Sequence, residues 1–128
     1  MATVATKTNP VAWFEIPVRD IERARRFYEK VFGVELTPED MGPYKMTFFP
    51  WTDGAPGAAG TLIKGETYEP SHGGTLVYFS VDDIDETLLK INANGGKTIL
   101  PKTDIGQYGF IAHFEDTEGN RVAIHAMK

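Results

Sequence analysis

The amino-acid sequence predicts an α+β fold in which two tandem β-α-β-β-β modules form a curved, mixed, eight-stranded sheet around a cleft. The first observation is an internal repeat at an offset of 63 residues. In both halves it places an aspartate before a helical pattern and a glycine after it: Asp20 and Gly33, then Asp83 and Gly96. The second observation is that three strand-like runs follow each helical pattern. Because one module cannot cover both faces of its own sheet, the two are expected to pair across a shared cleft.

Helical periodicity defines one helix in each half. The first has Asp20 at its N-cap position and Gly33 as its stop signal. Its apolar residues recur with a 3.6-residue period, as Ile21, Ala24, Phe27, Tyr28 and Val31. In the second half, Asp83 and Glu86 stand at capping-box spacing. These signals predict helices from Asp20 to Phe32 and from Asp83 to Asn94, each packed against its sheet.

Strand alternation assigns the first strand of each module to two faces, because successive side chains of a strand point to opposite sides of the sheet. Phe14, Ile16 and Val18 form a uniformly apolar face for the helix. Trp13 and Glu15 are therefore expected to face the cleft. At the positions 63 residues later, Leu76 and Tyr78 are expected to do the same.

The later strands add further side chains to the predicted cleft. Alternation turns Phe48, Ile111 and His113 inward, together with Ala123 and His125 of the last strand. The 63-residue offset pairs Leu62 with His125, so Leu62 is expected there too, and Tyr108 is expected at the mouth from a loop. The predicted ligand-binding set is thus aromatic and apolar: Trp13, Phe48, Leu62, Leu76, Tyr78, Tyr108, Ile111 and Ala123.

A single domain accounts for the chain. At 14.2 kDa it is too short for separate catalytic and cofactor domains. Residues 1–10 lack the apolar centre of a signal peptide and are expected to form a flexible tail. The domain at 11–128 divides into a first module at about 11–66, a linker at 67–73 and a second module at about 74–127.

Charge and composition argue against several classes of partner. The net charge of −5 is unsuited to a nucleic-acid backbone. Arg23, Arg25 and Arg26 cluster near Glu22 and Glu29, a pattern typical of a solvated helix face. There is no cysteine, which excludes disulfides and thiolate chemistry. No apolar run reaches membrane-spanning length, so we expect a cytoplasmic protein with neither a membrane nor a nucleic acid as partner.

Several spaced motifs carry a family resemblance. The run from Phe14 to Ala24, closed by Phe27-Tyr28 and Phe32-Gly33, resembles the opening module of the glyoxalase, bleomycin-resistance and extradiol dioxygenase superfamily, also called the vicinal oxygen chelate fold. Tyr78 to Asp83 and Asp116 to Asn120 resemble its second module. The resemblance implies the paired-module fold and a homodimer in which edge strands pair between chains. It does not imply one activity, because the superfamily spans isomerases, dioxygenases, transferases and metal-free binding proteins.

The resemblance also implies four metal-ligand positions, and none of them holds a metal-binding side chain. The positions are Trp13, Leu76, Ala123 and the repeat-mate of Ala123, Gly60. The usual metal-assisted mechanism of the metal-dependent glyoxalases is therefore not expected, and the sequence predicts no metal or other cofactor.

A displaced site stays open as an alternative. Glu15 and His125 each stand near an empty ligand position, and His113 lies on a neighbouring strand. Two histidines and one carboxylate could converge on a divalent ion. The same residues could instead form a hydrogen-bonded Glu-His pair in a partly buried pocket, which satisfies both groups without a metal.

Two functional hypotheses follow. The first is a metal-independent protein, similar to the bleomycin-resistance branch, which sequesters a planar or cationic small molecule between aromatic walls. The second is a lyase, isomerase or dioxygenase-type enzyme acting on a small carbonyl or aromatic substrate. In that case Glu15 would act as general base or acid, oriented by His125 or His113, with or without a displaced metal.

Overall fold

The computed structural model describes residues 9–128, so the predicted flexible tail falls largely outside the described residues. Within this range the first half runs β1 (Trp13–Pro17), α1 (Ile21–Phe32), β2 (Thr37–Met41), β3 (Tyr44–Phe48) and β4 (Ala59–Lys64). The second half repeats the order with β5 (Tyr78–Ser80), α2 (Ile84–Ala93), β6 (Lys97–Asp104), β7 (Phe110–Glu115) and β8 (Arg121–Ala126). A short 3-10 helix (Gly106–Tyr108) precedes β7.

The strands form two mixed four-stranded sheets with the same internal order. The first sheet is ordered β1-β4-β3-β2 and the second β5-β8-β7-β6. In each sheet the first strand of the module runs parallel to the last, and the other neighbours are antiparallel. The predicted α+β class and the repeated β-α-β-β-β order are therefore confirmed. The expected eight strands are divided between two open sheets, because among the described residues β1 pairs only with β4 and β5 only with β8.

Both helices begin and end at the predicted signals. The Asp20 carboxylate accepts the backbone N–H of Arg23 at 3.0 Å, and that of Asp83 accepts the N–H of Glu86 at 3.0 Å. Each bond satisfies a donor that the first turn of a helix leaves unpaired. Gly33 ends α1 with a left-handed φ of 65°, a conformation that a β-carbon disfavours. Neither helix within residues 9–128 is long and apolar enough to cross a membrane.

One hydrophobic core joins the two modules on the helix side of the sheets. Phe32 of α1 stacks on Phe79 of β5 at 4.5 Å between ring centroids, and Phe27 lies 6.1 Å from Phe114 of β7. The helix of the first module therefore packs directly on the second. Burying each large apolar side chain stabilises the fold by about 1.5–3 kcal/mol, so separating the modules would be strongly unfavourable.

Glu118, in the turn between β7 and β8, ties the second module to the start of α1. Its carboxylate accepts the backbone N–H groups of Arg19 and Asp20 at 2.9 and 2.8 Å, and the Arg23 guanidinium donates to it twice, at 2.8 and 2.9 Å. Burial alone would raise the pKa of Glu118, but these bonds and one from Thr117 outweigh it and lower the pKa to about 2. Arg23 was expected on a solvated helix face. It instead bridges the modules, a role that depends on tertiary structure.

A second buried carboxylate, Asp116, orders the same turn. It accepts the Tyr28 hydroxyl at 2.7 Å and the Asn120 side-chain amide at 3.0 Å. Burial raises the pKa of Asp116, and these hydrogen bonds only partly oppose that effect. Asn120 also donates to the carbonyl of Pro17 at 2.7 Å. This amide therefore fixes the end of β1 beside the start of β8.

Candidate functional site

The faces of the two sheets turned away from the helices are termed the open faces. On the first open face the register of β1, β4 and β3 groups Trp13, Glu15, Pro17, Met46, Phe48, Ala59, Thr61 and Ile63. On the second open face the register of β5, β8 and β7 groups Tyr78, Ser80, Ile111, His113, Arg121, Ala123 and His125. Trp13 and Tyr78 remain 39% and 47% exposed. In the single chain Trp13 and Tyr78 are therefore accessible to solvent and not enclosed in a cavity.

The first open face carries a cluster of large aromatic side chains. The ring of Trp13 lies 5.9 Å from that of Phe48 and 6.4 Å from that of Trp51, which extends the cluster from the segment after β3. Trp51 is 62% exposed. Contiguous exposed aromatic surface of this kind is typical of a binding site. Trp13, Phe48 and Trp51 are termed the aromatic cluster below.

Glu15 lies beside the aromatic cluster and is held by a tyrosine. The Tyr68 hydroxyl donates to its carboxylate at 2.8 Å, and this bond is the main reason that the pKa of Tyr68 is raised. The Tyr44 ring packs edge-on against that of Tyr68 at 5.8 Å. The register places Thr61 next to Glu15, and its buried hydroxyl has no hydrogen-bond partner within residues 9–128. Glu15 is exposed, so it can offer a positioned negative charge to a ligand.

A chain of three polar side chains crosses the second open face. Arg121 donates through Nε and Nη2 to Nδ1 of His113 at 3.1 and 2.9 Å, and Nε2 of His113 lies 3.2 Å from the Tyr78 hydroxyl. Burial lowers the pKa of His113, and the charge of Arg121 lowers it further. An Nδ1 atom that accepts two bonds cannot carry a proton. His113 is therefore neutral with its proton on Nε2, from which it donates to Tyr78.

Glu15, His113 and His125 are not brought together. Nε2 of His125 lies 2.6 Å from the carbonyl oxygen of Tyr108, whose ring is exposed at the end of the 3-10 helix before β7 and not in a loop as expected. His113 is engaged by Tyr78 and Arg121, and Glu15 by Tyr68. Neither histidine therefore pairs with Glu15, and no three His, Asp or Glu side chains cluster as metal ligands within residues 9–128.

Leu62 was predicted in the cleft, and this prediction is wrong. Leu62 is fully buried on the helix side of β4, where it pairs with Ile16, just as Ile124 pairs with Phe79 in the second module. Phe79 follows Ile16 by 63 residues, but Ile124 follows Leu62 by only 62. The second module is thus one residue shorter before its last strand. A shift of one residue reverses the face of a strand, so the fixed offset misassigned Leu62.

The same shift moves one of the implied metal positions. Gly60 pairs with Phe14 on the helix side, where an added β-carbon would overlap the Phe14 ring and carbonyl oxygen. The open-face residue equivalent to Ala123 is Thr61. Trp13, Thr61, Leu76 and Ala123 offer neither an imidazole nor a carboxylate. The metal implied by the family resemblance therefore does not fit these positions.

The remaining predicted site residues lie at or near the open faces. Phe48, Ile111 and Ala123 occupy open-face register positions, and Ala123 is fully buried there beneath its neighbours. Leu76 is half-buried just before β5. Sequence reasoning missed Arg121, although alternation from Ala123 and His125 along β8 would have placed it on the same face. It also missed Tyr68, which lies outside regular secondary structure and gave no periodic signal.

Comparison with known proteins identifies relatives of this chain. The family model for the Glyoxalase/Bleomycin resistance protein/Dioxygenase superfamily matches residues 10–124. A "Glyoxylase-like domain-containing protein" of Didymella fabae is 34% identical over 122 residues, which span 89% of this chain and 91% of the relative. The protein CFP32 of Mycobacterium bovis is 30% identical over 92% of this chain, but the match spans only 44% of its own length.

Solved structures share the fold at lower identity. A mutant of maize glyoxalase I (Zea mays) superimposes with a TM-score of 0.70 at 20% identity, covering 92% of this chain and 46% of that chain. A glyoxalase/bleomycin resistance protein from Streptomyces sp. CB03234 gives a TM-score of 0.67 at 23% identity, covering 89% and 97%. At these identities the likeness extends to the fold alone.

Proposed function

We propose that this chain, which belongs to the Glyoxalase/Bleomycin resistance protein/Dioxygenase superfamily, binds a planar or cationic small molecule on its first open face without a metal. The observation that carries the proposal is the juxtaposition of the aromatic cluster with the carboxylate of Glu15. Exposed indole rings provide faces for stacking a planar compound and for attracting a cation. Metal chemistry is not needed for this function, and the implied ligand positions do not fit a metal.

The carboxylate of Glu15 would set the preference for positive charge. Tyr68 holds one carboxylate oxygen, so the orientation of the group is partly fixed before a ligand arrives. Because Glu15 is exposed, solvent screens its charge and its contribution to affinity is modest. The aromatic rings would supply most of the binding free energy, and the carboxylate would supply selectivity.

Intrinsic fluorescence provides a direct test. The chain has only two tryptophans, Trp13 and Trp51, and both belong to the aromatic cluster. Titration with N-methylquinolinium, in the presence of a metal chelator, is expected to quench their emission saturably. Glu15→Gln should raise the dissociation constant for this cation about threefold. The same variant should leave the affinity for naphthalene, an uncharged ring system of similar size, unchanged.

A matched control separates the local charge from the net charge. Glu86 on α2 is exposed and lies on the helix side of the second sheet, so Glu86→Gln makes the same change of net charge far from the first open face. It should bind N-methylquinolinium as the parent does. No saturable quenching by either probe, or equal losses in the two variants, would contradict the proposal.

The enzymatic alternative has less support from the geometry. It required Glu15 to be oriented by His125 or His113, and Glu15 contacts Tyr68 instead. Because the relatives include glyoxylase-like and glyoxalase proteins, this alternative calls for an assay of lyase or isomerase activity on small carbonyl compounds. We expect no turnover above background from the parent protein.

We further expect a homodimer. Strand β2 lies at the edge of the first sheet and all five of its residues are exposed, which leaves one side of its backbone available for pairing. Pro38 removes one donor from this edge, so pairing there would be incomplete unless the open faces also contribute.

A further inference from the structure

A pocket separates the end of β1 from the start of β8. Its volume is about 190 Å³, and its charged and polar lining consists of Glu15, Glu69, Ser71, Thr75, Asn120 and Arg121. A protein cavity of about 150 Å³ accommodates benzene, so this pocket suits a ligand of roughly amino-acid size. It is termed the inter-module pocket.

The pocket walls are held at a fixed spacing. Asn120 donates to the Pro17 carbonyl at 2.7 Å, and its side-chain oxygen accepts the N–H of Ser71 at 3.2 Å. The backbone N–H of Arg121 donates to the carbonyl of Ser71 at 3.2 Å. Strand β1, strand β8 and the segment that connects the modules are thus joined around the pocket, which favours binding with little reorganisation.

Arg121 brings an uncompensated positive charge to one wall. Among residues 9–128 no carboxylate lies within 4.0 Å of its guanidinium. Its register neighbour Glu115 is engaged by His72, with 2.6 Å between His72 Nε2 and the carboxylate. The side chain that the Arg121 guanidinium does contact is the neutral ring of His113, which also lies on β7. A half-buried guanidinium without a counter-ion is suited to an anionic group, which it can bind with two parallel hydrogen bonds.

Two carboxylates also line the pocket. Glu15 and Glu69 are both exposed, and Glu69 makes no hydrogen bond or ion pair with another residue of the described range. A ligand with only a carboxylate would meet Arg121 but be repelled by these two groups. A ligand with only an amine would leave Arg121 unpaired.

We propose that the inter-module pocket binds a small zwitterion with the chemistry of an amino acid, whose carboxylate lies on Arg121 and whose ammonium group lies on Glu69 and Glu15. Ser71 and Thr75 would complete the hydrogen bonds of the ligand's polar groups. This site is separate from the aromatic cluster, although Glu15 borders both.

Titrations followed by amide NMR test the proposal. The twenty common amino acids are added singly, and the N–H signals of Ser71, Gly73, Thr75 and Arg121 are followed up to about 10 mM, a range that detects millimolar dissociation constants. At least one amino acid is expected to shift these signals saturably. Its methyl ester, which lacks the anion, and its N-acetyl form, which lacks the cation, should each bind about tenfold more weakly.

Two variants between β4 and β5 supply the control. Glu69→Gln should weaken binding of the amino acid severalfold. Glu66 is exposed and does not line the pocket, so Glu66→Gln should leave the affinity unchanged. Arg121→Gln should abolish the preference for the amino acid over its methyl ester. Absence of saturable shifts with every amino acid, equal binding of the ester, or equal effects of the two glutamate variants would overturn the proposal. Each of those outcomes would leave the quenching by N-methylquinolinium at Trp13 and Trp51 as an independent result.

Discussion

The Glu118 carboxylate and the Arg23 guanidinium form a two-bond ion pair, at 2.8 and 2.9 Å, that connects the last turn of the second module to the first helix of the first. The Glu118 side chain is fully buried, whereas that of Arg23 is 46% exposed. The carboxylate therefore depends on its partners for solvation. Removing Arg23 would leave this buried charge without its counter-ion, whereas an Arg23 that loses Glu118 can still be solvated by water.

Glu118→Gln is expected to lower the free energy of unfolding by about 1.5–3 kcal/mol, because charge-assisted bonds from Arg23 and from two backbone N–H groups are lost. Chemical denaturation with urea measures the change. The control is Glu22→Gln, which removes an exposed ion pair with Arg25 and should alter stability by less than about 0.5 kcal/mol. Similar losses in both variants would show that Glu118 does not hold the modules together.

Acid should destabilise the protein through the same group. The folded-state pKa of Glu118 is about 2, below its ordinary value of 4.5, so its stabilising contribution is complete above pH 4.5 and is lost as the pH falls towards 2. Asp116 acts in the opposite direction, since burial raises its folded-state pKa, and it offsets part of the loss. Unfolding free energies measured across this range should fall less steeply in Glu118→Gln than in the parent. Parallel slopes would be inconsistent with the lowered pKa.

Much of this architecture could be predicted from sequence because local chemistry determines it. Asp20 and Asp83 cap helices through bonds to residues three positions later, and alternation correctly placed Trp13, Glu15 and Tyr78 away from the helices. Leu62 could not be assigned from the repeat, because one residue fewer precedes the last strand of the second module and no helical or turn signal marks the difference.

The partners of the site residues were harder to predict. Tyr68 reaches Glu15 from a segment without regular structure, and Arg121 of β8 reaches His113 on the neighbouring strand β7. Glu118 and Arg23 are 95 residues apart in sequence. The Glu118–Arg23 contact depends on how the modules dock, and the contacts of Tyr68 and Arg121 depend on side-chain conformation; neither periodicity nor repeat spacing specifies these.

The purified protein is expected to contain no stoichiometric zinc, nickel or iron, because Trp13, Thr61, Leu76 and Ala123 cannot replace imidazole or carboxylate ligands. Elemental analysis by mass spectrometry of protein prepared without a histidine tag measures the metal content. One metal per chain that is lost in His125→Ala would revive the displaced site of Glu15, His113 and His125.

Sedimentation equilibrium at micromolar concentration is expected to give twice the chain mass of 14.2 kDa. If the edge strand β2 contributes, a second proline at Asp40 should weaken association, because Asp40 lies two residues after Pro38 and directs its backbone N–H to the same free edge. A monomer at all concentrations would reject the homodimer.

The indole N–H signals of Trp13 and Trp51 provide the most direct measurement of the central claim that the first open face binds a planar or cationic compound without a metal. The protein is titrated with N-methylquinolinium in the presence of a chelator, and both signals are followed by NMR. We predict that both shift saturably with a single dissociation constant, since the two rings lie 6.4 Å apart in one cluster. Binding of the cation elsewhere, with both indole signals unmoved, would contradict the account.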